Sequence, residues 1–131
     1  MKLAKIIFLC AFCFCRPALA EEVAPKTQAE NLLKALKPGE MELAVEKFAD
    51  RSLIKPEFVD QIKSQVRTLL PSDKKILGYE LLGEQNVGTS VKRLTYLLKT
   101  NDQPLSWTFT FYKPGAVWLP LRLVLADDYS L

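Results

Sequence analysis

The amino-acid sequence predicts an α+β domain in which three N-terminal helices pack on one face of a curved four-stranded antiparallel meander, making a cone. Three observations carry that prediction. Over 91–126 apolar side chains recur at every second position: Leu94, Tyr96 and Leu98, then Leu105, Trp107, Phe109 and Phe111, then Val117, Leu119, Leu121, Leu123 and Leu125. Period-two alternation makes each of these segments a strand with one apolar face. Upstream, over 28–70, apolar residues recur at helical spacing instead. One-sided apolarity in a sheet requires a cover, and those helices are the only segments able to supply it.

The first 20 residues stand apart from the domain. Lys2 and Lys5 precede an unbroken apolar run of ten over 6–15, and Ala18-Leu19-Ala20 supplies small residues where a signal peptidase cuts before Glu21. The run is shorter than the roughly 20 residues of a bilayer-spanning helix, so no stable membrane anchor is expected after cleavage. A lipoprotein signal would place a cysteine after two small residues, and Cys10, Cys13 and Cys15 do not fit that pattern. The expected localisation is therefore periplasmic or secreted, with the brevity of the signal favouring the periplasm. All three cysteines leave with the signal, so the mature domain has no disulfide and stands on its core. Lys2, Lys5 and Arg16 leave too, taking Lys+Arg from 18 to 15 against 15 acidic residues. A formally neutral domain gives no reason to expect a nucleic-acid partner or an anionic-membrane surface. What remains is one domain over 27–131 behind a short flexible lead-in at 21–26.

Thr27 and Glu30 have capping-box spacing, which predicts a first helix over about 28–37 with Ala29, Leu32, Leu33 and Leu36 inward. Pro38-Gly39 ends it. A second helix over about 40–49 buries Met41, Ala44, Val45 and Phe48. Pro56 suits the first turn of a third helix, whose stripe is Phe58, Val59, Ile62, Val66, Leu69 and Leu70. From Lys74 the period becomes two, with Leu77, Tyr79 and Leu81 facing the helices, Ile76, Gly78, Glu80 and Leu82 facing away, and a turn at 85–88. Hairpin parity then sets the register. A turn around Asp102-Gln103 pairs Leu98 with Trp107, Tyr96 with Phe109 and Leu94 with Phe111. A three-residue loop of Pro114, Gly115 and Ala116 pairs Phe111 with Leu119, Phe109 with Leu121 and Trp107 with Leu123, whereas a two-residue turn would bury Arg122 opposite Trp107.

The run Leu36-Lys37-Pro38-Gly39-Glu40-Met41-Glu42-Leu43-Ala44-Val45-Glu46-Lys47-Phe48 resembles the short step and Phe-ended helix of the nuclear transport factor two-like superfamily. Ser106-Trp107-Thr108-Phe109-Thr110-Phe111, continuing to Leu121, resembles its terminal hairpin. The resemblance is one of order and pattern over most of the mature chain, and is closest to small exported members without an assigned activity. It implies a pocket between helices and sheet and, often, dimerisation through the sheet.

The mature chain has neither His nor Cys, which removes the familiar nucleophilic triads, histidine acid–base chemistry and ordinary zinc or copper sites. Asp127-Asp128 is too sparse for a hard cation, and Gly78, Gly83 and Gly88 do not form a phosphate-cradling loop. No metal or cofactor is expected. The enzymatic precedent in the resembled superfamily is a ketosteroid isomerase-like site, which needs an inward carboxylate base beside a phenol. Tyr79 and Tyr96 supply phenols; Asp50 is the candidate carboxylate, since Glu30, Glu46, Asp60, Glu80 and Glu84 fall on polar faces. The pocket candidates Tyr79, Tyr96, Trp107, Phe109 and Asp50 admit two readings, a filled core or an apolar pocket with polar handles.

On the outer face Ile76, Leu82, Val91, Leu97, Tyr112, Trp118, Pro120 and Val124 make a patch more apolar than a solvated sheet usually shows. That predicts a homodimer anchored by Tyr112 and Trp118 beside Leu97, with Arg93 and Arg122 in rim ion pairs; alternatively the tail at 127–131 or the lead-in covers the patch. The sequence thus points to an exported non-catalytic domain that binds a partner or itself, with a small apolar ligand as a possible occupant of the cone. The alternative is a small isomerase or lyase. An enzyme requires an open cavity with a carboxylate within reach of a phenol; a binding module requires a filled or apolar interior and a buried Trp118.

Overall fold

The computed structural model describes residues 23–127; the expected signal at 1–20 and the tail at 128–131 lie outside the described residues. Helix α1 (Pro25–Lys34) begins inside the segment expected to be a flexible lead-in. Its N-cap is Ala24, without a side-chain cap, and Pro25 occupies the first turn, where a missing N–H costs nothing. The capping box at Thr27 and Glu30 is therefore not formed, and Glu30 is released for another partner. Helix α2 (Met41–Ala49) and helix α3 (Pro56–Leu69) follow the predicted stripes. Phe58 departs from its stripe and is exposed. Across the α2–α3 seam Lys63 pairs with Glu46, and Arg67 with Glu42 at 2.7 Å.

Four strands follow: β1 (Ile76–Val87), β2 (Val91–Thr100), β3 (Leu105–Tyr112) and β4 (Leu119–Ala126). They form an open antiparallel sheet in the order β1-β2-β3-β4, so the fold is α+β, with the helices covering one sheet face. Strand β3 supplies the centre of the core. Trp107, Phe109 and Phe111 are wholly buried, and their rings stack along the strand with centroids 6.3 Å apart. Phe48 of α2 meets Phe109 edge-on at 5.6 Å, and Tyr96 of β2 does so at 5.8 Å. Leu32, Leu33, Val45, Ile62 and Val66 close the core from the helix side.

The inward and outward sets on β2 and β3 are as the alternation predicts, but the pairing is shifted. Leu98 faces Leu105, Tyr96 faces Trp107 and Leu94 faces Phe109. A two-residue slide keeps every side chain on its own face, so burial alone does not distinguish the two registers. Three bulges then make one-residue changes that burial does register. Leu77 is the extra residue of the first, beside Gly78 with φ 151°, and it is 66% exposed while Ile76 packs against the core. Leu82 is the extra residue of the second, which lets β1 run on to Val87 through the expected turn at 85–88. The third lies on β4, where Thr110 faces Arg122 but Phe111 faces Pro120, leaving Leu121 out of the ladder and 40% exposed.

Pro120 explains that last bulge. It has no N–H for a ladder, and it lies on an edge strand, where such a residue is tolerated next to an irregularity. Its carbonyl accepts the Leu53 N–H at 2.8 Å, tying the α2–α3 connector to the sheet edge. Phe109 consequently faces Leu123, and Trp107 faces Leu125, rather than Leu121 and Leu123.

The bulge separates two neighbouring leucines that a regular strand would treat alike. Replacing Leu123 by Ala should cost about 2–5 kcal/mol, whereas Leu121→Ala should stay within about 0.5 kcal/mol. Urea melts of both variants check this; equal losses would contradict the bulged register.

Candidate functional site

Glu30 occupies the place where the isomerase-like reading requires a base, which the sequence did not assign to it. Released from the helix N-terminus, its carboxylate accepts a hydrogen bond from the Tyr96 hydroxyl at 3.0 Å and a longer one from the Tyr79 hydroxyl at 3.4 Å. The two phenol rings meet edge-on at 5.9 Å. Burial pushes the Tyr96 phenol well above its ordinary pKa, and the hydrogen bond and negative charge of Glu30 push it the same way. Tyr79, Tyr96, Trp107 and Phe109 all belong to the packed interior. Tyr96, Trp107 and Phe109 are wholly buried there, which makes them core before they are pocket wall. The Trp107 indole N–H is buried without a hydrogen-bond partner, the one such side-chain atom among the described residues.

The fifth pocket candidate, Asp50, belongs to a different place. It follows the last turn of α2 and lines a cleft of about 510 Å³ between α1, α2 and the segment leading into β4. Leu32, Phe48 and Trp118 form much of the apolar wall, with the exposed Lys47, Asp50 and Arg51 beside them. Gln28 shapes this cleft: its amide donates to the Val23 carbonyl at 2.9 Å and to the Trp118 carbonyl at 3.0 Å, joining α1 to both flanking segments. The sequence reading of Gln28 as an ordinary helix residue contained no signal for that long-range bond.

Trp118, expected on the outer face as a dimer anchor, lies on the helix side. The bulge at Leu121 reverses the parity of everything before it, so Pro120 is buried opposite Phe111 and Trp118 packs against the core. Its ring also receives the Lys113 ammonium at 5.4 Å from the centroid. Tyr112, Leu97, Arg93 and Arg122 keep the outward register positions the alternation predicts. Arg93 donates to Gln85 at 3.3 Å and joins no ion pair among the described residues. Among the described residues no group of acidic side chains is placed to hold a metal ion, and no helix is long and apolar enough to cross a membrane.

Folded Tyr96 holds its proton more tightly than the unfolded chain does. The stability this contributes is complete below the ordinary phenol pKa of about 10 and is lost as pH rises above it. Tyr96→Phe should therefore be less stable than the parent at pH 8, by about 1–3 kcal/mol for the lost bond to a carboxylate, yet lose less on moving to pH 11. Thermal melts at the two pH values check this; parallel losses in both proteins would exclude Tyr96 as the titrating group.

No protein-family model and no curated protein matches the sequence. Among solved structures, the fold is similar to that of a DUF4783 family protein from Bacteroides uniformis, with a TM-score of 0.50, 11% sequence identity, and coverage of 77% of this chain and 97% of that one. At that identity the likeness is one of fold.

Proposed function

We propose that this protein is an exported, non-catalytic binding domain of nuclear transport factor two-like architecture, which holds a small, mainly apolar ligand in the cleft between α1, α2 and the approach to β4. The observation that carries the reading is the contrast between a filled interior and an open flank. Trp107, Tyr96, Phe109 and Phe111 fill the space beneath the helices, whereas the Phe48–Trp118 cleft has the volume and the apolar wall usual for a small-ligand site. Lys47, Arg51 and Asp50 offer charges of both signs to a polar end group. Self-association through the outer sheet face has less in its favour, because Trp118 is not there to anchor it.

A fluorescent naphthalene sulfonate displaced by dodecanoate tests the cleft. Trp118→Ala removes a wall, and Ala35→Phe fills the space from an exposed position at the end of α1. Both should weaken probe binding about tenfold or more, the scale of losing one large buried side chain. Unchanged binding in both variants would overturn the reading.

The isomerase or lyase reading is kept alive by one observation, the contact between Glu30 and two phenols. In the structure both phenols donate to the carboxylate itself, so donor and base neutralise one another's function instead of facing a substrate. Conversion of a β,γ-unsaturated cyclic ketone to its conjugated isomer, followed by absorbance, distinguishes the readings. A binding domain gives no turnover, and turnover abolished by Glu30→Gln would favour the enzyme.

A further inference from the structure

We infer that the outer face of the sheet is a binding site for a small ligand carrying an oxyanion, independent of the cleft. This face holds a hollow of about 580 Å³. Its construction follows from the register. One cross-strand row reads Gln85, Arg93, Thr110, Arg122, and the next reads Gly83, Thr95, Thr108, Val124. The first row has two long cationic side chains flanking a threonine that is 8% exposed. The second has short side chains and a glycine, whose missing Cβ would meet nothing within 4 Å. Long side chains beside short ones on a twisted sheet leave a hollow, and here its long members are both arginines.

The charge around this hollow is one-sided. Among the described residues no Asp or Glu lines it. Glu80, one row further along, pairs with Lys99 at 3.4 Å, and Glu84 pairs with Lys92 at 2.9 Å. Among the described residues Arg93 hydrogen-bonds the neutral amide of Gln85, and neither arginine has an ion-pair partner. Their backbones are two strand spacings apart, about 10 Å, which suits two guanidinium groups closing on one group placed over Thr110. Guanidinium groups bind carboxylate, sulfate and phosphate through paired N–H donors. Among the described residues the Thr110 hydroxyl has no hydrogen-bond partner, and the Thr95 and Thr108 hydroxyls, 3.4 Å apart, keep spare capacity for the ligand. A second copy of the chain fits less well, because this face would bring arginines against arginines without a carboxylate between them.

Calorimetric titration of the purified protein at low ionic strength with sodium sulfate, inorganic phosphate and sodium glucuronate tests the site and separates the three sources of the oxyanion. At least one should bind, with affinity falling about tenfold in Arg93→Gln and in Arg122→Gln, as expected for a lost charge-assisted hydrogen bond. Binding should also weaken on raising salt and in Gly83→Leu, which fills the hollow and leaves both arginines in place. Binding of none of the three, or binding that the three variants leave unchanged, overturns the proposal. So does an arginine variant that changes the sedimentation of the protein without affecting any anion, since that would make the face a contact between copies.

Discussion

The aromatic row on β3 must be covered, and most of the molecule's arrangement follows from how it is covered. Trp107, Phe109 and Phe111 project from one side of a single strand, and each removes on the order of 150–250 Å² from water when buried. Stacking along the strand leaves their edges free to receive Phe48 from α2 and Tyr96 from β2. The helices therefore settle close to the sheet, and the space between the two layers is taken up by rings. The hollows of the molecule lie at the periphery instead, in the flank beside Phe48 and on the uncovered face.

Packing this tight leaves little room for charge, which makes Glu30 informative. Its carboxylate sits half-buried above the rings and accepts hydrogen bonds from two phenols. A buried hydroxyl needs an acceptor and a buried carboxylate needs donors, so the three groups satisfy one another at little cost. Burial and the Glu30 carboxylate both keep the Tyr96 phenol protonated, so it remains a donor to that carboxylate.

Much of this was legible in the residues. Helical and two-residue periods located all seven elements, because a buried stripe on a helix and a buried face on a strand leave different spacings. The faces of β2 and β3 were legible for the same reason. Their pairing was not, since a slide of two residues leaves Leu94, Tyr96 and Leu98 just as buried. The bulges were harder still: each inserts one residue, and only Gly78, Gly83 and Pro120 stood beside their positions. That is why Trp118 and Leu121 were assigned to the wrong sides, and with Trp118 went one of the two expected dimer anchors. Glu30 was misread because its local option, the helix N-terminus, was visible in sequence, while Tyr79 and Tyr96 lie far along the chain.

An open sheet has two free edges, and the irregularities of β1 and β4 bear on both. On β1 the bulges at Leu77 and Leu82 interrupt the row of outward N–H and C=O groups that another chain would need as a template. On β4 the proline lacks a donor, and its carbonyl is already claimed by Leu53. Neither border presents a long, regular run for intermolecular β-pairing. The distortions that obscured the register thus also guard a disulfide-free domain against fibre-like self-addition.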